Sequence, residues 1–196
     1  MKENDVMNYE ITKEEVNNLP LGGFKEEIVI VNDKETALKA IEDLRRDNII
    51  GIDTETKPAF KKGESYDPSL IQLAREHITY LFRIQKIGLL PEIVELLADP
   101  KITKVGLALD RDIKELQDMV SFEPANMVDL NVFCPTIGFK NIGVRNLAAL
   151  VLGFRISKRQ RTSNWEAEEL SEAQCRYAAT DAWACRQIYL KLQNVK

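Results

Sequence analysis

Ile49-Ile50-Gly51-Ile52-Asp53-Thr54-Glu55-Thr56 is the stretch that decides how this chain folds. Its apolar start predicts a strand over residues 48–55, buried on both faces, as near the centre of a sheet covered by helices. Strand side chains alternate with period two, so Asp53 and Glu55 point one way and Thr54 and Thr56 the other. Two anions side by side repel each other, and they coexist only with solvent, a proton or a cation between them. An oxygen-only donor set favours Mg²⁺, Mn²⁺ or Ca²⁺ over zinc. The same Asp-x-Glu pattern also ends ordinary solvated strands, so the rest of the chain must decide.

Upstream, residues 12–18 predict a short helix closed by Leu19-Pro20-Leu21-Gly22-Gly23, and residues 1–25 read as a lead-in to one domain over 26–196. A strand over 27–31 follows, then a helix capped by Asn32 with Glu35 and carrying Ala37, Leu38, Ile41 and Leu44 on one face. Downstream, Pro58, Gly63 and Pro68 among charges make 57–68 a loop over the two carboxylates. The runs 70–74 and 78–82 are joined by Arg75-Glu76-His77 alone, which predicts an antiparallel hairpin. Next come a helix over 91–98, a strand over 102–108, a helix over 111–119, a short strand over 127–131, and helices over 144–152 and 172–193. A meander, then alternating strand and helix, then helices alone, predicts an α/β domain with a mixed central β-sheet flanked by helices.

The chain has 196 residues, 44% hydrophobic and 30% charged, enough for one sizeable core. Met1-Lys2-Glu3-Asn4-Asp5 is charged, and the longest apolar run, 147–152, is far shorter than a membrane span. A cytoplasmic protein with no membrane partner is the expectation. Cys175 and Cys185 fall on one predicted helix about 15 Å apart, too far to bridge, and three cysteines suit a reducing setting. The only histidine, His77, lies in the hairpin turn, which leaves Ser-His, Cys-His and His/Cys zinc chemistry without material. A net charge of −4 argues against tight, freestanding nucleic-acid binding. Two divalent cations would cancel that charge, and Arg155-Ile156-Ser157-Lys158-Arg159-Gln160-Arg161 supplies a local basic patch.

Ser171 with Gln174 opens the last helix as a capping box, and i,i+4 spacing stacks Tyr177 and Asp181 on one of its faces. Asp112 starts the helix after the strand over 102–108, where a helix-dipole role would also account for it. Asp53-x-Glu55, Asp112 and Tyr177-x-x-x-Asp181, in this order, resemble the three motifs of the DEDD exonuclease superfamily, whose fold is ribonuclease-H-like. The tyrosine matches the DEDDy branch; the other branch carries a histidine where this chain has Arg176. Lys104-Val105-Gly106-Leu107-Ala108-Leu109-Asp110-Arg111-Asp112, and Thr162-Ser163-Asn164-Trp165 through Tyr177-Ala178-Ala179-Thr180-Asp181-Ala182, look like the Werner syndrome helicase exonuclease domain. The likeness to ribonuclease D is more distant, and the resemblance covers about residues 26–192.

The resemblance implies a 3′→5′ exonuclease holding two divalent cations, Mg²⁺ or Mn²⁺, on Asp53, Glu55, Asp112 and Asp181. Asp110 and Asp129 are nearby alternatives for the third ligand, and the motif register favours Asp112. Tyr177 would orient the attacking water, since a phenol of ordinary pKa near 10 is a poor base at neutral pH. Lys158, Arg159 and Arg161 would contact phosphates, with affinity that falls with salt and carries little sequence information. Trp165 is a candidate for stacking on a base, or else a core residue. Thr56-Lys57-Pro58 stands where the helicase-linked relatives carry an aromatic, which leaves the base-separating wedge open.

The expected substrate is a single-stranded or recessed 3′ end, released as nucleoside 5′-monophosphates. DNA is favoured, because ribonuclease D carries helical domains after its catalytic one and this chain ends soon after the last motif. A DNA-repair role with a helicase or repair partner on another chain would follow, in an oligomeric state left open. The alternatives are RNA 3′-end trimming and a noncatalytic nucleic-acid-binding module of the same fold.

Overall fold

The computed structural model describes residues 9–194, so the charged amino end at Met1 to Asp5 lies outside them. Six strands form one mixed sheet in the order β1-β4-β3-β2-β5-β6: β1 Glu27–Val31, β2 Ile49–Thr56, β3 Pro68–Ala74, β4 Ile78–Phe82, β5 Thr103–Gly106 and β6 Met127–Asp129. β3 runs antiparallel to both β2 and β4, while β1 with β4, β2 with β5 and β5 with β6 are parallel. The hairpin and the mixed α/β architecture are as expected. β2 is interior, which is why its first residues are apolar on both faces.

Helices α2 Lys34–Leu44, α4 Pro91–Leu97 and α5 Leu109–Met119 contribute to the core on one face, where Leu44, Ile93, Leu96 and Leu116 meet Ile52, Ile71, Leu73 and Phe82. Each fully buried aliphatic or aromatic side chain there contributes about 1.5–3 kcal/mol by leaving water. α8 Glu172–Leu192 covers the other face, with α6 Leu130–Thr136 and α7 Val144–Leu147 beside it. α7 passes into a π-helical turn over Ala148–Leu152, so the single helix expected over 144–152 is two different turns. α1 Lys13–Asn18 opens with a complete Thr12–Glu15 capping box, and α3 Ile84–Ile87 is one turn that follows β4. Bridges from Tyr9 to Phe139 and from Leu21 to Arg155 tie the segment before β1 to the carboxyl-terminal part.

Three local expectations need correction. The cap of α2 is Asp33, whose carboxylate accepts from the Thr36 N–H at 2.8 Å, and Asn32 precedes it. Ala40 takes the core position assigned to Leu38, and Leu38 is 41% exposed. The strand expected over 127–131 also ends early, since β6 stops at Asp129 and α6 begins at once. Pro135 inside that helix hides it from helix-pattern reading.

α8 lies very close to β2, and a glycine permits it. A Cβ at Gly51 would stand 1.9 Å from the Ala182 carbonyl oxygen, next to Asp181 in the chain. The Arg186 Nε–H donates to the Ile49 carbonyl at 2.9 Å and holds the helix along the same strand.

Candidate active site

β2 and α8 bring their acids together across this contact. One carboxylate oxygen from each of Asp53, Glu55 and Asp181 lies within 4.8 Å of the others. Asp181 is buried, Asp53 and Glu55 are partly exposed. Desolvation raises all three above the usual carboxylate range. For Asp53 the Asp181, Glu55 and Asp112 charges add to it, and for Glu55, lifted to about 9, the Asp181 and Asp112 charges do the same. Burial likewise raises Asp181, opposed by the Tyr177 hydroxyl one helical turn away and by Lys158.

Asp112 stands outside the tight trio but within electrostatic reach of it. Burial lifts it to about 6, and a hydrogen bond with the Thr54 side chain opposes the rise. Its position depends on a residue from another element. The Asp129 carboxylate accepts from the Ala108 and Leu109 N–H groups at 3.0 and 2.8 Å, and from the Asn131 N–H at 2.7 Å. One side chain therefore caps the starts of both α5 and α6. It also holds Ala108 in a left-handed conformation, φ 58°, unusual for a residue with a Cβ. Asp129 is thus engaged as a cap, Asp110 is exposed beside it, and Asp112 is the acid that faces the trio.

Tyr177 packs against Trp165 with ring centroids 6.1 Å apart. Burial first, and then the Asp181 and Glu55 charges, push its phenol up from the ordinary value, so it stays protonated and can donate. Cys185, one turn beyond Asp181, is buried behind the carboxylates, and burial pushes its thiol well up, leaving a neutral floor.

The basic segment divides around this centre. Lys158 lowers Asp181 and Arg161 lowers Glu55, so both face the acids. Arg159 instead lines a cavity of about 410 Å³ with Lys25 and Arg176, on the other side of Tyr177. A cleft of about 640 Å³ runs past Glu55, Asp112 and Arg161 beneath the 57–66 loop. Lys57 closes part of its rim, paired with Glu166 at 2.9 Å and lying over the Tyr66 ring.

Trp165 does not meet the stacking expectation. It is fully buried with Leu70, Leu81, Cys175 and Ala178, where no base reaches it. The loop that carries it is tied down by Arg83, whose guanidinium donates to the Glu168 carbonyl at 2.7 Å and to the Ala167 carbonyl. The capping role of Asp129, which the sequence offered only as an alternative ligand, and the close approach at Gly51 are the contributions that sequence reasoning missed. A glycine inside a strand was a usable signal, since it often marks close backbone approach.

The donor set fits hard divalent cations. It is all oxygen and converges within cation-bridging distance, and the buried Asp181 Oδ1 has no hydrogen-bond partner among the described residues. A sequence profile for 3′-5′ exonuclease matches residues 28–195. Ribonuclease D of Gluconacetobacter diazotrophicus is 33% identical over 171 residues, covering 85% of this chain and 42% of that protein. The exonuclease 3′-5′ domain-containing protein 2 of Drosophila melanogaster is 34% identical over 128 residues, 63% of this chain and 22% of that protein. The chain thus spans less than half the length of these curated relatives. Among solved structures, the EXO domain of Aedes aegypti Nibbler superposes with a TM-score of 0.79 at 24% identity, covering 89% of this chain and 94% of that one. Trypanosoma brucei RNase D in complex with RNA U12 has a TM-score of 0.77 at 21% identity, covering 87% and 64%. These two show the shared fold, and the profile match over most of the sequence settles the rest: this chain belongs to the 3′-5′ exonuclease family.

Proposed function

We propose that residues 26–196 form a catalytic unit that removes nucleotides one at a time from a 3′ end, with residues 1–25 as its lead-in. The observation that carries this is the convergence of Asp53, Glu55 and Asp181 within 4.8 Å, with Tyr177 one helical turn from Asp181. The four acids, Asp112 included, would hold two divalent cations, Mg²⁺ or Mn²⁺, which when bound supply an activated water and charge stabilisation for in-line hydrolysis. The chain's own groups do the rest. Tyr177, kept protonated, orients the water by its hydroxyl. Lys158 and Arg161 hold the phosphates against the acids. Hydrolysis breaks the bond between phosphorus and the 3′ oxygen of the penultimate nucleotide; that oxygen takes a proton, and the terminal nucleotide leaves as a 5′-monophosphate.

For the polymer, the relatives named ribonuclease D, several of them 33% identical, favour RNA, while the DNA preference expected from sequence has the weaker support of a DNA polymerase I of Aquifex aeolicus that is 28% identical over 165 residues. An intracellular setting is part of the same proposal, in keeping with three free cysteines, all buried. A noncatalytic binding module would be better served by a surface without these acids beside phosphates.

The test is digestion of 5′-labelled RNA and DNA oligonucleotides in Mn²⁺, Mg²⁺ or EDTA, with Asp53→Ala as control. A metal-dependent ladder shortening from the 3′ end and lost in the variant is expected, faster on RNA. Metal binding without cleavage of either polymer would overturn the catalytic reading, and faster digestion of DNA would reverse the substrate assignment.

A further inference from the structure

Gln72 lies at the centre of β3, and nothing in the site as described employs it. It is completely buried, and among the described residues neither its Oε1 nor its Nε2 has a hydrogen-bond partner. Leaving both ends of a buried amide unpaired is costly, and a leucine would fill similar space without that cost. Such a breach of the rules of core packing is expected where a group serves a site.

The register shows which site. Gln72 pairs with Asp53 of β2 on one side and Leu81 of β4 on the other. Residues directly opposite in an antiparallel pair share a face, with Cβ atoms about 4.5–5.5 Å apart. That face is the one under α8, since Leu70 and Leu81 on it pack with Cys175 and Ala178 of the helix. The Asp53 carboxylate is therefore the polar group beside the amide. Thr79 pairs with Ala74, which puts its hydroxyl diagonally across the same face, and that oxygen is also buried without a partner.

We infer that Gln72 is a positioning residue for Asp53: its Nε2–H donates to one carboxylate oxygen and so turns the other toward the cations. The Thr79 hydroxyl donates to Gln72 Oε1 and determines which end of the amide faces Asp53. The inference rests on the reading of Asp53 as a cation ligand. It belongs with the outer hydrogen bonds that orient metal-binding carboxylates, whose loss typically weakens metal binding about 10–100-fold.

The experiment is Mn²⁺ titration calorimetry on the full chain, with thermal unfolding in EDTA alongside, for wild type, Gln72→Leu, Gln72→Met and Thr79→Val. Gln72→Leu and Gln72→Met should bind Mn²⁺ roughly 10–100-fold more weakly while unfolding in EDTA close to the wild-type temperature, because a side chain of similar volume keeps the core packed while the hydrogen bond to Asp53 is lost. Thr79→Val should weaken binding by a smaller factor and add nothing to Gln72→Leu. A purely structural glutamine gives the opposite pattern: lower stability in EDTA and unaltered Mn²⁺ affinity in the variants that fold. That pattern, or failure of both Gln72 variants to fold, overturns the inference. No Mn²⁺ binding by the wild type would overturn the cation site itself, and the inference with it.

Discussion

Replacing Gly51 by alanine tests whether the approach of α8 to β2 sets the geometry of the acids. The added Cβ would stand 1.9 Å from the Ala182 carbonyl oxygen, and ordinary contact begins at 3.4 Å, so strand and helix must part by about 1.5 Å. The obstacle is helix backbone, which cannot turn aside as a side chain can. Overpacking of this kind typically costs about 1–3 kcal/mol, and the Arg186 to Ile49 hydrogen bond that pins the helix places Gly51→Ala at the upper end. Asp181 precedes Ala182 and moves with it, away from Asp53. A misplacement of about 1 Å can cost roughly 100-fold in rate. Urea unfolding followed by circular dichroism gives the stability. Steady-state digestion of a labelled oligonucleotide in saturating Mn²⁺ gives the rate, and the expected pattern is a fall in kcat with little change in KM. If Gly51→Ala unfolds like wild type and keeps kcat within about threefold, the close contact does not set the spacing of the acids and the argument fails.

In EDTA, stability should decline as pH rises from about 4 to 8. Acids with raised folded pKa values bind more protons folded than unfolded, so their contribution is complete below the unfolded values of 3.8 and 4.5. Asp112 loses it through about 6, and Glu55 through about 9. Lys104, lowered by burial to about 8, works in the opposite direction above that pH. Urea midpoints at several pH values check the slope, and stability rising over 4–8 contradicts it. Asp129→Ala should cost about 1–2 kcal/mol through loss of the shared cap and also reduce activity by freeing the start of α5, whereas an ordinary surface cap would leave activity intact. Lys158→Ala and Arg161→Ala should each weaken oligonucleotide binding uniformly across sequences and reduce the salt slope by about one, as fluorescence anisotropy at several salt concentrations will show.

What could be read from the sequence was whatever is encoded locally. The apolar run ending in Asp53-x-Glu55, the tight turn between β3 and β4, and the Ser171–Gln174 capping box with Tyr177 and Asp181 behind it all carry their signals within a few residues. β1 and β4 have the expected bounds. What escaped depends on partners distant in the chain. Nothing near Ala108 announces that Asp129 will cap it, and nothing near Trp165 distinguishes a base-stacking ring from a core ring until Leu70 and Leu81 close over it. Ala40 completes the i, i+3, i+4, i+7 spacing of Ala37, Ile41 and Leu44, and Leu38, picked for its size, lies off that stripe and is 41% exposed.

The tight trio of acids joins a strand from the first third of the chain to its last long helix. Pairing so distant is slow to form and comes only once the intervening segments have been made. During synthesis from the amino end, Asp53 and Glu55 exist long before Asp181 emerges. A half-made chain therefore has the strand but not the cluster of acids, which is complete only when α8 docks. Assembly of the three acids is in this sense a readout of completed folding.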